Sequence, residues 1–175
     1  MDTFLESGKF PVEVVNLASS KEKGPGRPPH WEMVFWWTRK PLASARAVIL
    51  ASILPRDFDV ERFTRIVYPS YQGSGRFSKT PHFLNPNVKL LGREYLEKLA
   101  RTRLLDPFAG FGSIPLEGVR LGAGEVVATE LLPAAVVFLR AVLEYPKWAV
   151  EKKVEKQLIS DVEKWGKWVL EQLGK

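Results

Sequence analysis

The sequence predicts an α/β fold, and the prediction rests on the stretch from Thr102 to Glu130. Three features support it. A short apolar strand runs out at Asp106, a glycine-rich loop then opens a helix, and a second apolar strand delivers Glu130. Strand, crossover helix and strand in this order give two parallel strands, whose carboxyl ends meet at one edge of a sheet. We therefore expect Asp106 and Glu130 to lie at the same edge.

The loop between the two strands has the residues that a tight turn into a helix requires. Gly110 and Gly112 allow the chain to turn and a ligand to approach the backbone closely. Ser113 is predicted to be the N-cap, and Pro115 is tolerated in the first helical turn. Gly122-Ala123-Gly124 is predicted to end the helix.

This layout is that of half a mononucleotide-binding unit. N–H groups at a helix start favour a carboxylate or phosphate, and an acid such as Glu130 after the second strand suits ribose hydroxyls. The loop lacks the lysine and Ser/Thr pair of a phosphate-gripping Walker loop, which disfavours a nucleoside triphosphate. The alternative is a plain glycine turn of any α/β protein, and we favour the ligand site over it.

Composition restricts the function further. The chain has 175 residues, 45% of them hydrophobic, which suits one domain or a lobe of something larger. Its net charge of +6 indicates an anionic partner such as nucleic acid, or serves solubility. There is no cysteine and only two histidines, His30 and His82, so no metal site is predicted. No stretch approaches the ~20 apolar residues of a membrane helix, and we expect a cytoplasmic protein without a membrane partner.

The N-terminal part is predicted to be helical, with a basic and aromatic segment between its helices. Amphipathic spacing predicts a helix over 10–23, and Pro41 is placed to open a second helix over 42–54. Lys21–His30 between them is either a mobile linker or a basic loop beside the active face. Trp36 and Trp37 are interpreted first as core anchors.

Basic residues in this part are candidates for contact with nucleic acid, because cations interleaved with aromatic rings suit phosphates and stacked bases. The predicted nucleic-acid contacts are Arg27, Arg39, Lys40 and Arg46.

The remaining segments are predicted to be helices and one loop. Helices are expected over 58–68 and 91–100, and the polar loop 71–81 could close over a ligand or merely connect elements. An apolar helix over 133–143 should break at Glu144-Tyr145-Pro146. A long charged helix over 148–173 carries an apolar stripe that is core or partner surface.

We divide the chain into a helical and aromatic region (1–101), a βαβα unit (102–145) and a C-terminal amphipathic helix (146–175), and expect them to form one compact domain.

Two motifs resemble known protein families. DPFAGFGS, residues 106–113, resembles motif I of S-adenosylmethionine-dependent methyltransferases that act on exocyclic amino groups. FWWTRKPLASARAVILASILP, residues 35–55, resembles the WWARRPL-type opening segment of a family of large adenine-specific DNA methylases from archaea and bacteria. The preceding EKG…GRPPH and the closing DVEKWGKWVLEQL are similar to parts of that family too.

The resemblance implies a fold, a cofactor and a set of cofactor-binding residues. The fold would be a partial Rossmann-like S-adenosylmethionine-dependent methyltransferase fold with added N-terminal and C-terminal helices. The cofactor would be S-adenosylmethionine, with the glycine loop facing its methionine part and Glu130 taking the ribose hydroxyls. The positions that carry over are Asp106, Pro107, Phe108, Ala109, Gly110, Gly112, Ser113, Glu130 and Leu131.

The sequence departs from the family at the catalytic motif. Such enzymes carry Asn/Asp/Ser-Pro-Pro-aromatic, whose polar group and carbonyl hold the target amine while the aromatic ring stacks on the extruded base. The nearest strings here are Tyr68-Pro69-Ser70-Tyr71 and Asn85-Pro86-Asn87-Val88, and both are interpreted as turns. In the resembled family the motif lies beyond the point where this chain stops, so no catalytic residue is assigned.

The predicted function is therefore the cofactor-binding part of a split or truncated DNA amino-methyltransferase, with adenine as the favoured target. A partner chain would carry the target-base motif, and a homo-oligomer remains an open alternative. Two other functions are retained: a subunit of an RNA methyltransferase, against which the WWTRKPL segment argues, and a non-catalytic binding or regulatory module.

Overall fold

A computed structural model of the chain describes residues 2–24, 27–33, 39–81 and 84–174. The predictions for Trp36, Trp37 and His82 lie outside these residues. The chain forms two compact units, Met1–Leu131 and Leu132–Lys175. The helical region and the βαβ segment, which we expected as separate regions of one domain, share the first unit.

The first unit is mixed α/β. Its helices are α1 (Val12–Lys21), α2 (Leu42–Ala51), α3 (Val60–Val67), α4 (Arg93–Arg101) and α5 (Ser113–Leu121), and its strands are β1 (Arg103–Asp106) and β2 (Glu125–Ala128). Short 3-10 turns cover Phe4–Glu6, Pro29–Trp31 and Val88–Leu90. The predicted type of each of these helices and strands is confirmed, with ends that differ by a few residues.

The βαβ segment forms as predicted. β1 and β2 pair in parallel, from Arg103 opposite Glu125 to Asp106 opposite Ala128. Helix α5 lies on one face of the pair, and Gly118 of α5 faces the strands. A Cβ at Gly118 would lie 3.2 Å from Leu104 Cδ1 and 3.3 Å from Val126 Cγ2, so a side chain there would crowd the sheet.

The first unit does not cover the opposite face of this two-stranded sheet with any of its described residues. Arg103 and Leu105 of β1 and Glu125 and Val127 of β2 are exposed, Leu105 to 65%. Parallel sheets are normally covered on both faces, since their strands are apolar throughout. The structure therefore shows a small two-stranded parallel sheet in a largely helical chain, with half of its surface left uncovered.

The core of the first unit is formed by its helices rather than by the sheet. Phe4 lies at the centre of an aromatic group, with its ring centroid 4.9 Å from that of Phe63 and 6.2 Å from that of Phe58. Buried residues of α2 and α3, together with Leu99 of α4 and Leu121 of α5, complete the cluster. Through Leu121 of α5, the βαβ segment packs against this core.

A buried ion pair joins α2 to α5. Arg46 Nε lies 2.6 Å from Glu117 Oε2, and Arg46 Nη2 donates to Glu117 Oε1 over 3.1 Å. Arg46 Nη1 also donates to the carbonyl of Val67, and both charged side chains are 0% exposed. Arg120 of α5 donates to Glu117 as well.

This placement of Arg46 differs from the expected contact with nucleic acid. Arg46 points from α2 towards α5, and its guanidinium donates to Glu117 and to the Val67 carbonyl inside the fold. An arginine without solvent exposure does not reach an external phosphate.

The second unit is helical. It contains α6 (Pro133–Leu139), a π-helical turn (Arg140–Glu144), α7 (Tyr145–Lys152) and α8 (Glu155–Leu173). The predicted break at 144–146 is wrong, because Pro146 falls in the first turn of α7, where its missing N–H is not needed. The break comes instead at Lys153, whose φ of 58° lies in the left-handed region.

Helix α8 presents its apolar stripe to solvent within this unit, and none of its residues is buried. The exposed apolar residues of the stripe and its margins are Ile159, Val162, Trp165, Trp168, Val169, Leu170 and Leu173. Of the two predictions for this stripe, core is wrong for the described unit, and partner surface stays a prediction.

Candidate functional site

A crevice of about 160 Å³ lies at the carboxyl ends of β1 and β2. Its walls come from the strand ends, the glycine loop, the start of α5 and the segment before α2. The lining residues are Arg39, Lys40, Asp106, Phe108, Ala109, Gly110, Phe111, Ser113, Ile114 and Glu130.

The two predicted acids meet in this crevice because the strands are parallel and in register. Asp106 ends β1, and its carbonyl accepts from Thr129 N over 3.0 Å, which places Glu130 next to it. Asp106 is mostly buried, and its Oδ1 accepts from Phe108 N at 3.2 Å. The expectation that Asp106 and Glu130 share one edge of the sheet is confirmed.

The glycine loop adopts backbone angles that favour glycine. Gly110 has a φ of 51° and Gly112 a φ of 77°, both in the left-handed region, where a Cβ is strained. Gly112 rather than Ser113 is the N-cap of α5, so the predicted cap is wrong by one residue. Ser113 and Ile114 begin the helix in the crevice wall, where the first N–H groups lack intrahelical partners.

Glu130 holds the loop against the end of β2. Its Oε2 accepts from Gly110 N at 2.8 Å, and its Oε1 accepts from Leu131 N at 2.7 Å. These two bonds tie the glycine loop and the residue after Glu130 to one carboxylate.

The segment before α2 brings two cations to the crevice. The Arg39 guanidinium lies 5.6 Å from the centroid of the Trp31 ring and 5.9 Å from that of the Phe111 ring, and its Nη1 donates to the Trp31 carbonyl. Lys40 is exposed at the same crevice. Both were predicted to contact nucleic acid, and the structure places both beside the predicted cofactor loop.

Helix α2, which follows these cations, is anchored by a residue that sequence reasoning missed. Glu22 accepts from Leu42 N at 2.8 Å and from Ala43 N at 2.7 Å, and it is 0% exposed. It acts as a remote N-cap, since Pro41 has no side-chain acceptor of its own. Burial raises the pKa of Glu22 to about 7. No local sequence signal connects Glu22 to a helix that starts so far along the chain.

Two large apolar side chains beside the strand ends are exposed to solvent. Phe108 in the loop is 83% exposed, and Leu131, which follows Glu130, is 90% exposed. Phe108 borders the crevice, whereas Leu131 lies outside its wall.

The structure brings together most of the predicted cofactor positions. Asp106, Phe108, Ala109, Gly110, Ser113 and Glu130 line the crevice. Pro107, Gly112 and Leu131 belong to the same turns but are not part of its wall. Sequence reasoning missed Phe111 and Ile114, although their places beside Gly110 and in the first turn of α5 could have indicated both.

Arg27 lies apart from this wall. Its Nε is 3.0 Å from Glu32 Oε1, and both side chains are largely exposed. Its assignment to nucleic acid stays a prediction.

The two strings nearest to a target-base motif have structural partners. Tyr68 is fully buried, its hydroxyl donates to the Ala43 carbonyl at 2.8 Å, and burial raises its pKa. Asn85 Oδ1 accepts from Arg120 Nε at 2.9 Å. Neither string lines the crevice. Residues 69–70 form a turn as expected, whereas residues 85–87 are not assigned to a turn and Val88 begins a 3-10 helix.

Among the residues that the structure describes, no cluster of three or more His, Asp or Glu side chains is arranged to hold a metal ion. None of the helices in the described part of the chain has the length and apolar character needed to cross a membrane.

Comparison with known proteins identifies one family model. Residues 9–67 match a model described as "Protein of unknown function (DUF1156)", which covers about a third of the chain. No curated protein and no solved structure matches the chain. The matched segment contains Glu22, Arg39, Lys40 and Arg46, and it ends before β1. The two cations that border the crevice thus lie in the segment that matches this family model.

Proposed function

We propose that the chain binds S-adenosylmethionine in this crevice and is the cofactor-binding part of an amino-methyltransferase. The observation that carries the proposal is the convergence of Asp106, the glycine loop at Gly110 and Glu130 on one cavity. A glycine loop that opens a helix, with an acid after the next strand, suits a nucleoside whose ribose meets the acid. The βαβ segment would then be part of a Rossmann-like methyltransferase fold.

The exposed apolar side chains fit the same ligand. An adenine ring has two apolar faces, and Phe108 and Leu131 offer uncovered apolar surface next to the acid that would hold the ribose. Burial of such surface stabilises the complex by about 25 cal/mol per Å².

The size of the crevice supports a division of labour with a partner chain. Pockets that enclose a whole drug-sized ligand measure about 300–1,000 Å³, whereas this crevice measures about 160 Å³. The chain would hold one side of the cofactor, and a partner would cover the other side and the open sheet face at Leu105 and Val127. DNA adenine is the proposed target.

In the proposed reaction the target nitrogen attacks the sulfonium methyl group. A C–N bond forms, the S–C bond breaks, the nitrogen loses a proton and S-adenosylhomocysteine leaves. The chain's own residues bind and orient the donor, which is a large part of catalysis in a direct transfer of this kind. The partner would position the amine.

Isothermal titration calorimetry with S-adenosylmethionine tests the binding step. We expect binding by the wild type and at least tenfold weaker binding by Asp106→Ala and Glu130→Ala, because each removes an acceptor from the crevice. Glu13→Ala, an exposed change in the first turn of α1, is the matched control and should bind like the wild type. Absence of both heat and thermal protection in the wild type contradicts the proposal.

A further inference from the structure

The crevice carries charges of both signs. Asp106 and Glu130 contribute two carboxyl groups, and Arg39 and Lys40 contribute two cations from the segment before α2. A purely anionic ligand would meet two acids there, and a purely cationic one would meet two bases. A ligand with separated positive and negative groups can pair with the acids and with the cations at once. Opposite charges attract, whereas the approach of like charges raises the free energy of the complex.

We propose that Arg39 and Lys40 bind the carboxylate at the amino-acid end of the methyl donor, beside the first turn of α5. This proposal rests on the proposed function and deepens it by assigning a recognition site for that end. The donor combines a carboxylate with an ammonium and a sulfonium group. Its carboxylate would face Arg39 and Lys40, and its positive groups would face the side of Asp106.

Contacts within the protein position one of the two cations, Arg39, before a ligand binds. The Arg39 guanidinium lies 5.6 Å from the Trp31 ring centroid and 5.9 Å from the Phe111 ring centroid, and its Nη1 donates to the Trp31 carbonyl. Glu22 fixes the start of α2 at Leu42, and only Pro41 separates this start from Lys40. Side chains positioned before binding lose less conformational entropy when the ligand arrives, so they bind more tightly.

A phosphate of nucleic acid is the other anion that these cations could meet, and the crevice fits it less well. The crevice has a volume of about 160 Å³ and is lined by Asp106 and Glu130. Both acids would repel a phosphodiester. Ser113 and Ile114 at the start of α5 add N–H groups and a positive helix dipole end, which suit a carboxylate and a phosphate alike, so the two acids decide between these anions.

A comparison of two ligands tests the assignment. S-adenosylhomocysteine and 5′-methylthioadenosine share the nucleoside and the sulfur, but only the first has the amino-acid end. We expect the wild type to bind S-adenosylhomocysteine at least tenfold more tightly, measured by calorimetry. Lys40→Met should reduce this preference about fivefold and Arg39→Gln about tenfold, while the affinity for 5′-methylthioadenosine stays unchanged. Lys9→Met, on an exposed lysine outside the crevice, is the control and should keep the full preference.

The outcomes separate this proposal from the proposed function. If the wild type binds neither ligand, the proposed function fails. If it binds both and the preference is the same in Lys40→Met and Arg39→Gln, only the assignment of the cations fails. Equal loss of both ligands in these variants would show a structural role and also overturn the assignment. A fall in affinity for duplex DNA with an unchanged ligand preference would assign the cations to phosphate instead.

Discussion

At the scale of single residues, several charged side chains that stabilise the fold are buried. Glu22 has no solvent exposure, yet both of its oxygens accept from the backbone at the start of α2. Burial disfavours the carboxylate, whereas the two N–H donors favour it. Burial has the larger effect and raises the pKa of Glu22 to about 7 from an ordinary value of 4.5.

This shift predicts a pH dependence of stability that Glu22→Gln should abolish. The folded state binds the Glu22 proton more tightly than the unfolded state does. The contribution of this proton to the free energy of unfolding is therefore complete below pH 4.5 and is lost as the pH rises through about 7. Relative to Glu22→Gln, the free energy of unfolding of the wild type should fall by about 3 kcal/mol across this window. Urea denaturation at a series of pH values measures it, and parallel pH profiles for the two proteins would contradict it.

At the scale of elements, two glycines of the βαβ segment serve different contacts. Gly118 faces the ends of flexible side chains, since a Cβ there would lie 3.2 Å from Leu104 and 3.3 Å from Val126. Gly124 faces backbone: a Cβ there would lie 1.9 Å from the carbonyl oxygen of Ala100 at the end of α4. Side-chain ends can shift by a few tenths of an ångström, whereas a helix carbonyl cannot move away without loss of its neighbours' packing.

Gly124→Ala should therefore destabilise the first unit far more than Gly118→Ala does. We expect a loss of roughly 3 kcal/mol or more for Gly124→Ala, which exceeds the usual 1–3 kcal/mol of overpacking because backbone must move. For Gly118→Ala we expect about 1 kcal/mol or less, because the better helix propensity of alanine offsets part of the crowding. Chemical denaturation of both variants tests this, and equal losses would refute the distinction.

At the scale of the whole molecule, the segment that matches the family model and the βαβ segment belong to one unit. The buried pair Arg46–Glu117 connects them, with one residue in α2 and the other in α5. Removal of Arg46 leaves the buried Glu117 with Arg120 as its remaining cation partner. Loss of a buried charge partner costs more than loss of an exposed pair.

Arg46→Met should lower the free energy of unfolding of this unit by about 3 kcal/mol, the lower end of the range for a broken buried pair, because Arg120 still contacts Glu117. The control is Arg93→Met, which breaks the exposed pair Arg93–Glu97 and should cost less than about 1 kcal/mol. Since the pair joins two segments of one unit, hydrogen exchange in Arg46→Met should rise in both α2 and α5. Faster exchange confined to α2 would show that the pair does not couple them.

Local sequence patterns were sufficient to predict the helices and strands of the first unit and the acids and glycine loop of the crevice, but not the presence of Arg39 and Lys40 there. The apolar run before Asp106, the loop glycines and the apolar run before Glu130 identify the βαβ segment, because strands, turns and helix starts depend on neighbouring residues. Arg46 shows the limit of this reasoning. A basic residue near tryptophans suggests a surface contact, but its burial depends on Glu117, a partner far along the chain.

The sequence alone determined the parallel βαβ segment, the turn at Gly110 and Gly112, and the meeting of Asp106 with Glu130, since each follows from local backbone preferences and strand order. Only the tertiary structure decided that Arg39 and Lys40 border the same crevice, that Glu22 caps α2 and that Arg46 is internal. These contacts join residues distant in the chain, and packing rather than local preference selects them.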